Sequence, residues 1–290
     1  MTNIETAAIY VVATPIGNLD DISQRAIATL KNVDFIASED TRTTKKLLSH
    51  LGITKKELIS YHDHDEKEKS SKLISRLKST GESMALVSDA GTPCVSDPGY
   101  KLIAAAKKEQ IKVHPIPGPS ALTSLVSASG LPNNRVLFCG FLPTKVNAVK
   151  QEVESWLSTN ASIVFFESTR RLEKTLRVVS EVYPLAEVCI AREITKLFEE
   201  IETMNINEAL IFLSVHKTLK GESSVMVYLG EEKKRTLEDH DLAETEIISA
   251  ARKAFKKGDT LKDLLLRYRD CGLSRSDLYQ LLLSAKNPKD

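Results

Sequence analysis

The chain has 290 residues, more than one hydrophobic core ordinarily organises, so two domains and a small third are expected. Its 42% hydrophobic and 27% charged residues are those of a soluble globular protein; no apolar run reaches the ~18 residues of a membrane helix, and Met1–Thr6 carries no basic leader, so a cytoplasmic protein is expected. A net charge of +1 excludes a surface that attracts nucleic acid everywhere and leaves only local patches for that role.

Short apolar, β-branched runs predict strands at Ile9–Ala13, Val33–Ala37, Met84–Val87, Val113–Ile116, Val136–Phe141, Ser162–Phe166, Glu187–Ala191 and Ser224–Leu229, with a weaker one at Leu58–Tyr61. Between them, helical periodicity marks Ile22–Leu30, Thr44–Leu51, Lys69–Leu77 and Thr169–Val182. This alternation predicts an α/β fold with mainly parallel sheets. The breaker cluster Gly130-Leu131-Pro132-Asn133-Asn134 divides a first α/β domain, 7–130, from a second, 131–235. Glu208–Val215 is read as a helix capped by Asn207. From Asp239 the pattern is helical only, with Leu242–Lys257, Leu261–Arg269 and a last helix, Arg275–Lys286, capped by Ser274; residues 239–290 form a small helical tail. Eight Lys or Arg against three Asp between Arg252 and Arg275 fit either an RNA grip or a solvated face.

Ligands of open α/β sheets bind beyond the carboxyl ends of the strands, so the loops there carry the functional reading. After the first strand, Thr14-Pro15-Ile16-Gly17-Asn18-Leu19-Asp20-Asp21 is either a plain turn or a site; with one glycine it lacks the G-x-G-x-x-G of dinucleotide folds. Ser38-Glu39-Asp40-Thr41-Arg42 reads as a helix cap, or as a loop in which Asp40 poses Arg42 toward an anion. The stretch from Ser88 to Tyr100 is a long loop stiffened by Pro93 and Pro98 and freed at Gly91 and Gly99, suited to binding a ligand through main-chain groups. Pro117-Gly118-Pro119-Ser120-Ala121 opens a helix with Ser120 in its first turn, where N–H groups favour ligand oxygens. Arg170 and Arg171 follow the cap Ser168; cations there oppose the helix dipole, which a bound anion would offset. Glu193, Lys196 and Lys220 lie in charged clusters beside strands, where surface pairing alone is an equally good reading. His62 and His64 share a strand face, but no further ligand is identifiable and no metal is expected. Cys94, Cys139, Cys189 and Cys271 form no C-x-x-C pair and are read as idle thiols.

Taken together, Ala13–Asp21, Ser38–Arg42, Leu86–Pro93, Ser96–Tyr100, Pro117–Ala121, Gly140–Pro143, Phe166–Leu172, Ala191–Lys196 and Lys220–Glu222 resemble, in order, the motifs of bacterial small-subunit ribosomal RNA methyltransferases I. That family is of the tetrapyrrole methylase-like class, the class III methyltransferases. The resemblance implies two α/β domains with S-adenosyl-L-methionine in the cleft between them, a helical C-terminal extension, a homodimer and no membrane. The implied reaction is 2′-O-methylation of a cytidine in the decoding region of 16S rRNA, on free RNA or on the assembled small ribosomal subunit. It implies cofactor contacts from Pro15, Gly17, Asp89, Gly91, Thr92, Pro93, Ser96, Ser120 and Ala121. Candidate catalytic residues are Glu39, Asp40, Arg42, Glu193 and Lys220, and candidate RNA contacts are Arg170, Arg171 and Lys145. Cys94-Val95 departs from the family pattern, where a larger aliphatic pair is expected. Rival readings are a methyltransferase acting on a tetrapyrrole or a protein side chain, and an RNA-binding protein without catalysis.

Overall fold

The computed structural model describes residues 4–62, 66–215, 221–230, 247–255, 259–268 and 275–286. The chain divides into two compact units, Met1–Tyr228 and Leu229–Asp290. The first holds two five-stranded sheets. The expected strands of the first sheet are all present: β1 (Ala8–Val12), β2 (Phe35–Ser38), β3 (Glu57–Ser60), β4 (Met84–Val87) and β5 (Lys112–Ile116), in the order β3-β2-β4-β1-β5 and wholly parallel. Crossovers run through α1 (Gln24–Asn32), α2 (Thr41–His50), α3 (Glu66–Thr80) and α4 (Tyr100–Lys108).

Successive side chains of a strand point to opposite faces, and this sheet uses both. Ala8, Tyr10, Val12, Ile36, Ala85 and Val87 pack with Ala26 and Leu30 of α1 and Leu47 and Leu48 of α2. Ile9, Phe35, Ala37, Met84 and Leu86 pack on the other side with Leu73, Ile74 and Leu77 of α3 and Leu102 and Ala106 of α4. The near-continuous apolar strands follow from burial on both faces.

The second sheet corrects an expectation. Its order is β6-β7-β10-β8-β9, from β6 (Val136–Phe141), β7 (Ser162–Ser168), β8 (Glu187–Arg192), β9 (Glu200–Asn205) and β10 (Glu222–Tyr228). Only β6 and β7 run parallel; β7–β10, β10–β8 and β8–β9 are antiparallel, so the sheet is not mainly parallel. The cause is connectivity. β8 turns back directly into β9, a strand without an apolar signature, and β10 then inserts between β7 and β8. The helix before β10, α8 (Ile206–Val215), is present as expected, but its cap is Asn205, whose Oδ1 accepts from the N–H groups of Asn207 and Glu208.

Helices α6 (Val146–Ser155), α7 (Thr169–Val182) and α8 follow the strands of this sheet, and α7 packs on β7 and β10 while α8 packs on β8. Trp156, fully buried after α6, stacks on Phe165 at 5.9 Å and donates to Glu152 at 3.4 Å. On the other face Val164, Cys189, Ala191 and Met226 meet Leu125 of α5 (Ala121–Ala128), the helix that follows β5. One helix of the first half thus closes the core of the second.

The second unit contains a helix over 247–255 (α9), α10 (Leu261–Arg267) and α11 (Arg275–Lys286). Ile247, Ala251, Leu264, Leu278 and Leu282 form its core, and Thr260 with Asp263 makes a capping box at α10. The expected cap Ser274 and much of the basic stretch lie outside the described residues.

Candidate active site

The carboxyl ends of the parallel strands and the matching ends of the second sheet converge on a cavity of about 390 Å³. Because β10 runs antiparallel, its first residues lie beside the last residues of its neighbours: Ser224 is opposite Phe166 of β7 and Ala191 of β8. Glu222, Ser223 and Ser224 therefore face the same cavity as Phe166, Ala191 and Glu193. From the first sheet come Ile16 after β1, Glu39 after β2, Asp89–Thr92 and Val95–Asp97 after β4, and Ser120 and Ala121 after β5.

Backbone pairing locks these loops together. Thr14 and Gly91 form a two-bond bridge, with N–H to O distances of 2.9 and 3.0 Å in the two directions. The Thr92 hydroxyl donates to Pro119 O at 3.2 Å. The β2 and β4 loops exchange side-chain contacts: Asp40 N–H donates to Asp89 Oδ1 at 3.0 Å and Asp89 N–H to Glu39 Oε2 at 3.3 Å. Across the cavity, Asn18 N–H donates to Thr195 Oγ1 at 3.0 Å. Gly17 is required there, since a Cβ would come within 2.6 Å of Lys196 Cγ and 2.7 Å of Thr195 Oγ1.

The β4 loop is held in a costly conformation. Cys94 and Ser96 have φ of 69° and 64°, and on the facing loop Glu193 and Thr195 have 48° and 69°. Non-glycine residues in this region are strained, and such strain collects at binding sites. Gly99, at φ 136°, lets the Cys94 sulfur approach, for a Cβ there would be 2.5 Å from it. The small Cys94, in place of a larger aliphatic, fits that contact. From α3, the buried Glu66 accepts from Gly99 N–H at 2.9 Å and pairs with Lys101 at 3.0 Å, supplying the cap that α4 lacks.

Among the described residues, the cavity wall carries Glu39, Asp89, Asp97, Glu193 and Glu222, and the cation there, Lys196, pairs with Glu193 at 3.0 Å. Burial first, then the charges of Glu39, Asp89 and Glu222, push the Asp97 carboxyl up to about 6, against a lowering hydrogen bond from Ser88. Among the described residues this lining of five carboxylates and one paired cation favours a positively charged ligand. Among the described residues the thiols are poor nucleophiles: burial pushes Cys94 and Cys139 up to about 11 and raises Cys189 too, while Cys271 lies outside the described residues.

Of the residues expected to contact a cofactor, Asp89, Gly91, Thr92, Ser96, Ser120 and Ala121 line this cavity. Pro15 and Gly17 line a second cavity of about 410 Å³ beside it, and Pro93 is buried inside its loop. Ser120 is the N-cap of α5, one position earlier than expected, and its side chain makes no cap bond. Glu39 and Glu193 are on the cavity wall. Asp40 caps α2 and forks with Arg42, whose hydrogen bonds hold its carboxyl at about 2. A carboxylate with so little affinity for a proton is a weak base. Arg171 reaches Glu167 at 3.2 Å and the carbonyls of Leu142 and Pro143 at 3.2 and 2.5 Å, which ties β6 to α7. Arg170 and Lys145 are exposed near the N-termini of α7 and α6. Lys220 lies outside the described residues, as do Asp63, His64 and Asp65; among the described residues no three His, Cys, Asp or Glu groups cluster to hold a metal. Asp97 and Glu222 were not singled out from the sequence. Asp97 stands in the stiffened loop, where its residue type was a usable signal; the register that brings Glu222 to the cavity had none.

The model for the tetrapyrrole (corrin/porphyrin) methylases matches residues 8–210. The chain belongs to that family. Within it, the chain is 44% identical over 229 residues to the ribosomal RNA small subunit methyltransferase I of Halalkalibacterium halodurans, covering 79% of this chain and 78% of the relative. It is 45% identical over 227 residues to the protein of the same name from Mesorhizobium japonicum, covering 78% and 76%. It therefore belongs with the small-subunit methyltransferases I of the tetrapyrrole methylase family. Among solved structures, diphthine synthase aligns with a TM-score of 0.56 at 16% identity over 80% of this chain and 95% of that one. A cobalamin-biosynthetic cobalt precorrin-4 methyltransferase aligns at 0.55 and 12% identity, over 76% and 94%. At such identities these two share the fold of this methylase. Among the described residues, no helix is long and apolar enough to cross a membrane.

Proposed function

We propose that this methylase uses S-adenosyl-L-methionine to methylate the 2′-oxygen of a cytidine in the decoding region of 16S rRNA. The observation that carries the cofactor is the acidic cavity built from both sheets, with Asp97 shifted upward among Glu39, Asp89 and Glu222. The cofactor is a cation at sulfur and at its amino group, and these carboxylates match it. The acceptor rests on the curated relatives, whose names specify the small-subunit RNA.

When bound, the cofactor supplies a methyl group on positively charged sulfur. Asp89, Gly91, Thr92, Ser96, Ser120 and Ala121 would hold it, with the uncapped first turn of α5 offering N–H groups to its carboxylate. The work left to the chain is to align an RNA hydroxyl, exclude water and take up its proton. Asp97, whose carboxyl is pushed up to about 6 and which lines the cavity, is our first candidate for that uptake, ahead of Glu39 and Glu193. Asp40 serves instead to pose Arg42, and Arg170 and Lys145 are retained as phosphate contacts, with Arg171 bracing the loop beneath them. The two-domain division at 130 rests on the breaker cluster, the helical tail on the periodicity after Asp239, the cytoplasmic location on composition, and the homodimer on the resemblance.

The test is transfer of labelled methyl groups from S-adenosylmethionine to small ribosomal subunits lacking the modification, with a tetrapyrrole as the rival acceptor. Label in the RNA is expected; label in the tetrapyrrole alone would overturn the reading.

A further inference from the structure

The second cavity, about 410 Å³, adjoins the acidic one and shares Ile16, Asp89 and Ala90 with it. Its lining is mostly apolar and hydroxyl-bearing, with Lys46 as well as the shared Asp89 on it. Pro15, Leu19 and Leu47 give it apolar walls, and Lys46 is a cation on its lining. Its rim is α2, Thr-Arg-Thr-Thr-Lys-Lys-Leu-Leu-Ser-His, in which Arg42 is paired with the N-cap Asp40 and Lys45 and Lys46 carry the basic character. In a chain of net charge +1 this is a local basic strip of the kind a phosphate backbone requires.

We propose that this cavity receives the target nucleoside, drawn out of the folded RNA, with Lys46 on its phosphate and Asp89 on the partition between acceptor and cofactor. This assignment rests on the functional reading above. A base taken from its stack needs apolar walls and a few edge contacts, and the volume lies within the range of small-molecule sites. The buried hydroxyls bias the choice of base. Thr14 Oγ1 donates to Ser88 O at 3.2 Å and Thr44 Oγ1 to Asp40 O at 3.2 Å. With their protons committed, both hydroxyls can only accept, which suits an exocyclic amine. Among the pyrimidines, cytosine carries that amine and uracil does not.

Two exposed positions of α2 on the cavity wall allow a test without disturbing the core, Thr43 and Lys46. Thr43→Trp fills the cavity and Lys46→Glu reverses its charge. For each full-length variant, cofactor affinity is read by calorimetry, subunit binding by filter retention, and methylation kinetics with unmodified small subunits. Both should keep the wild-type affinity for S-adenosylmethionine, raise KM for subunits by about tenfold or more, and Lys46→Glu should lower the salt slope of binding by about 1 or more. Wild-type KM and subunit binding in both variants would overturn the assignment, as would a parallel loss of cofactor affinity, which would make the cavity part of the cofactor site. An inactive wild-type protein would instead sink the functional reading.

Discussion

Asp97 holds its proton more tightly in the folded chain, at about 6, than the ordinary 3.8 of an unfolded aspartate. A carboxyl raised in this way favours folding at low pH, and that advantage is lost as pH rises from about 4 to about 6. Above 6 the folded protein carries a poorly solvated charge facing Glu39, Asp89 and Glu222. Asp97→Asn should therefore stabilise the apoprotein at pH 7.5, on the order of 2 kcal/mol, with the gain vanishing near pH 4. Thermal melts across that range check it; an equal gain at both ends would contradict the cause given. The same charge should draw the cofactor, so wild-type affinity should fall by up to about tenfold per pH unit below 6, and Asp97→Asn should flatten that dependence. Calorimetry at pH 5 and 7 reads the difference. The sequence showed Asp97 in a loop built to bind, but a residue's burial and the charges facing it come from elements far apart in the chain. Arg171 teaches the same lesson in reverse: its place in a helix's first turn signalled an anion, and the anion is the protein's own buried Glu167.

At the scale of elements, the first sheet was legible because its central strands β1, β2 and β4 are buried on both faces and read as apolar runs, while the edge strands β3 and β5 are partly exposed and β3 gave the weaker signal. The second sheet's strands were equally visible, except β9, whose Glu200, Glu202 and Asn205 at the sheet edge leave no apolar pattern. Strand direction was not legible, since a period of two is the same in either direction. That omission also hid Glu222, which reaches the cavity only because β10 is reversed. The packing beneath this sheet makes a separate prediction. Trp156 fills the space below Phe165 with no exposed surface, so Trp156→Ala should cost about 3–5 kcal/mol. Denaturant melts check the value; a loss below about 1 kcal/mol would show that the sheet and its helices close over the gap.

For the whole molecule, near-neutral charge hides two adjoining surfaces: an acidic cavity proposed for a cationic cofactor and a second cavity, rimmed by Lys46 of α2 and proposed for RNA, which share Ile16, Asp89 and Ala90. The residue motifs announced the first through resemblance, whereas the second emerged only when α2 was seen to rim a cavity. The central claim is that this site methylates one ribose of the small subunit. It is tested most directly by incubating the full-length protein with labelled S-adenosylmethionine and small subunits from cells lacking it, then mapping the label by nuclease digestion. Label on the 2′-oxygen of a single cytidine in the decoding region is the predicted result. Label on a base, label spread over many riboses, or no label on subunits or free RNA would contradict it.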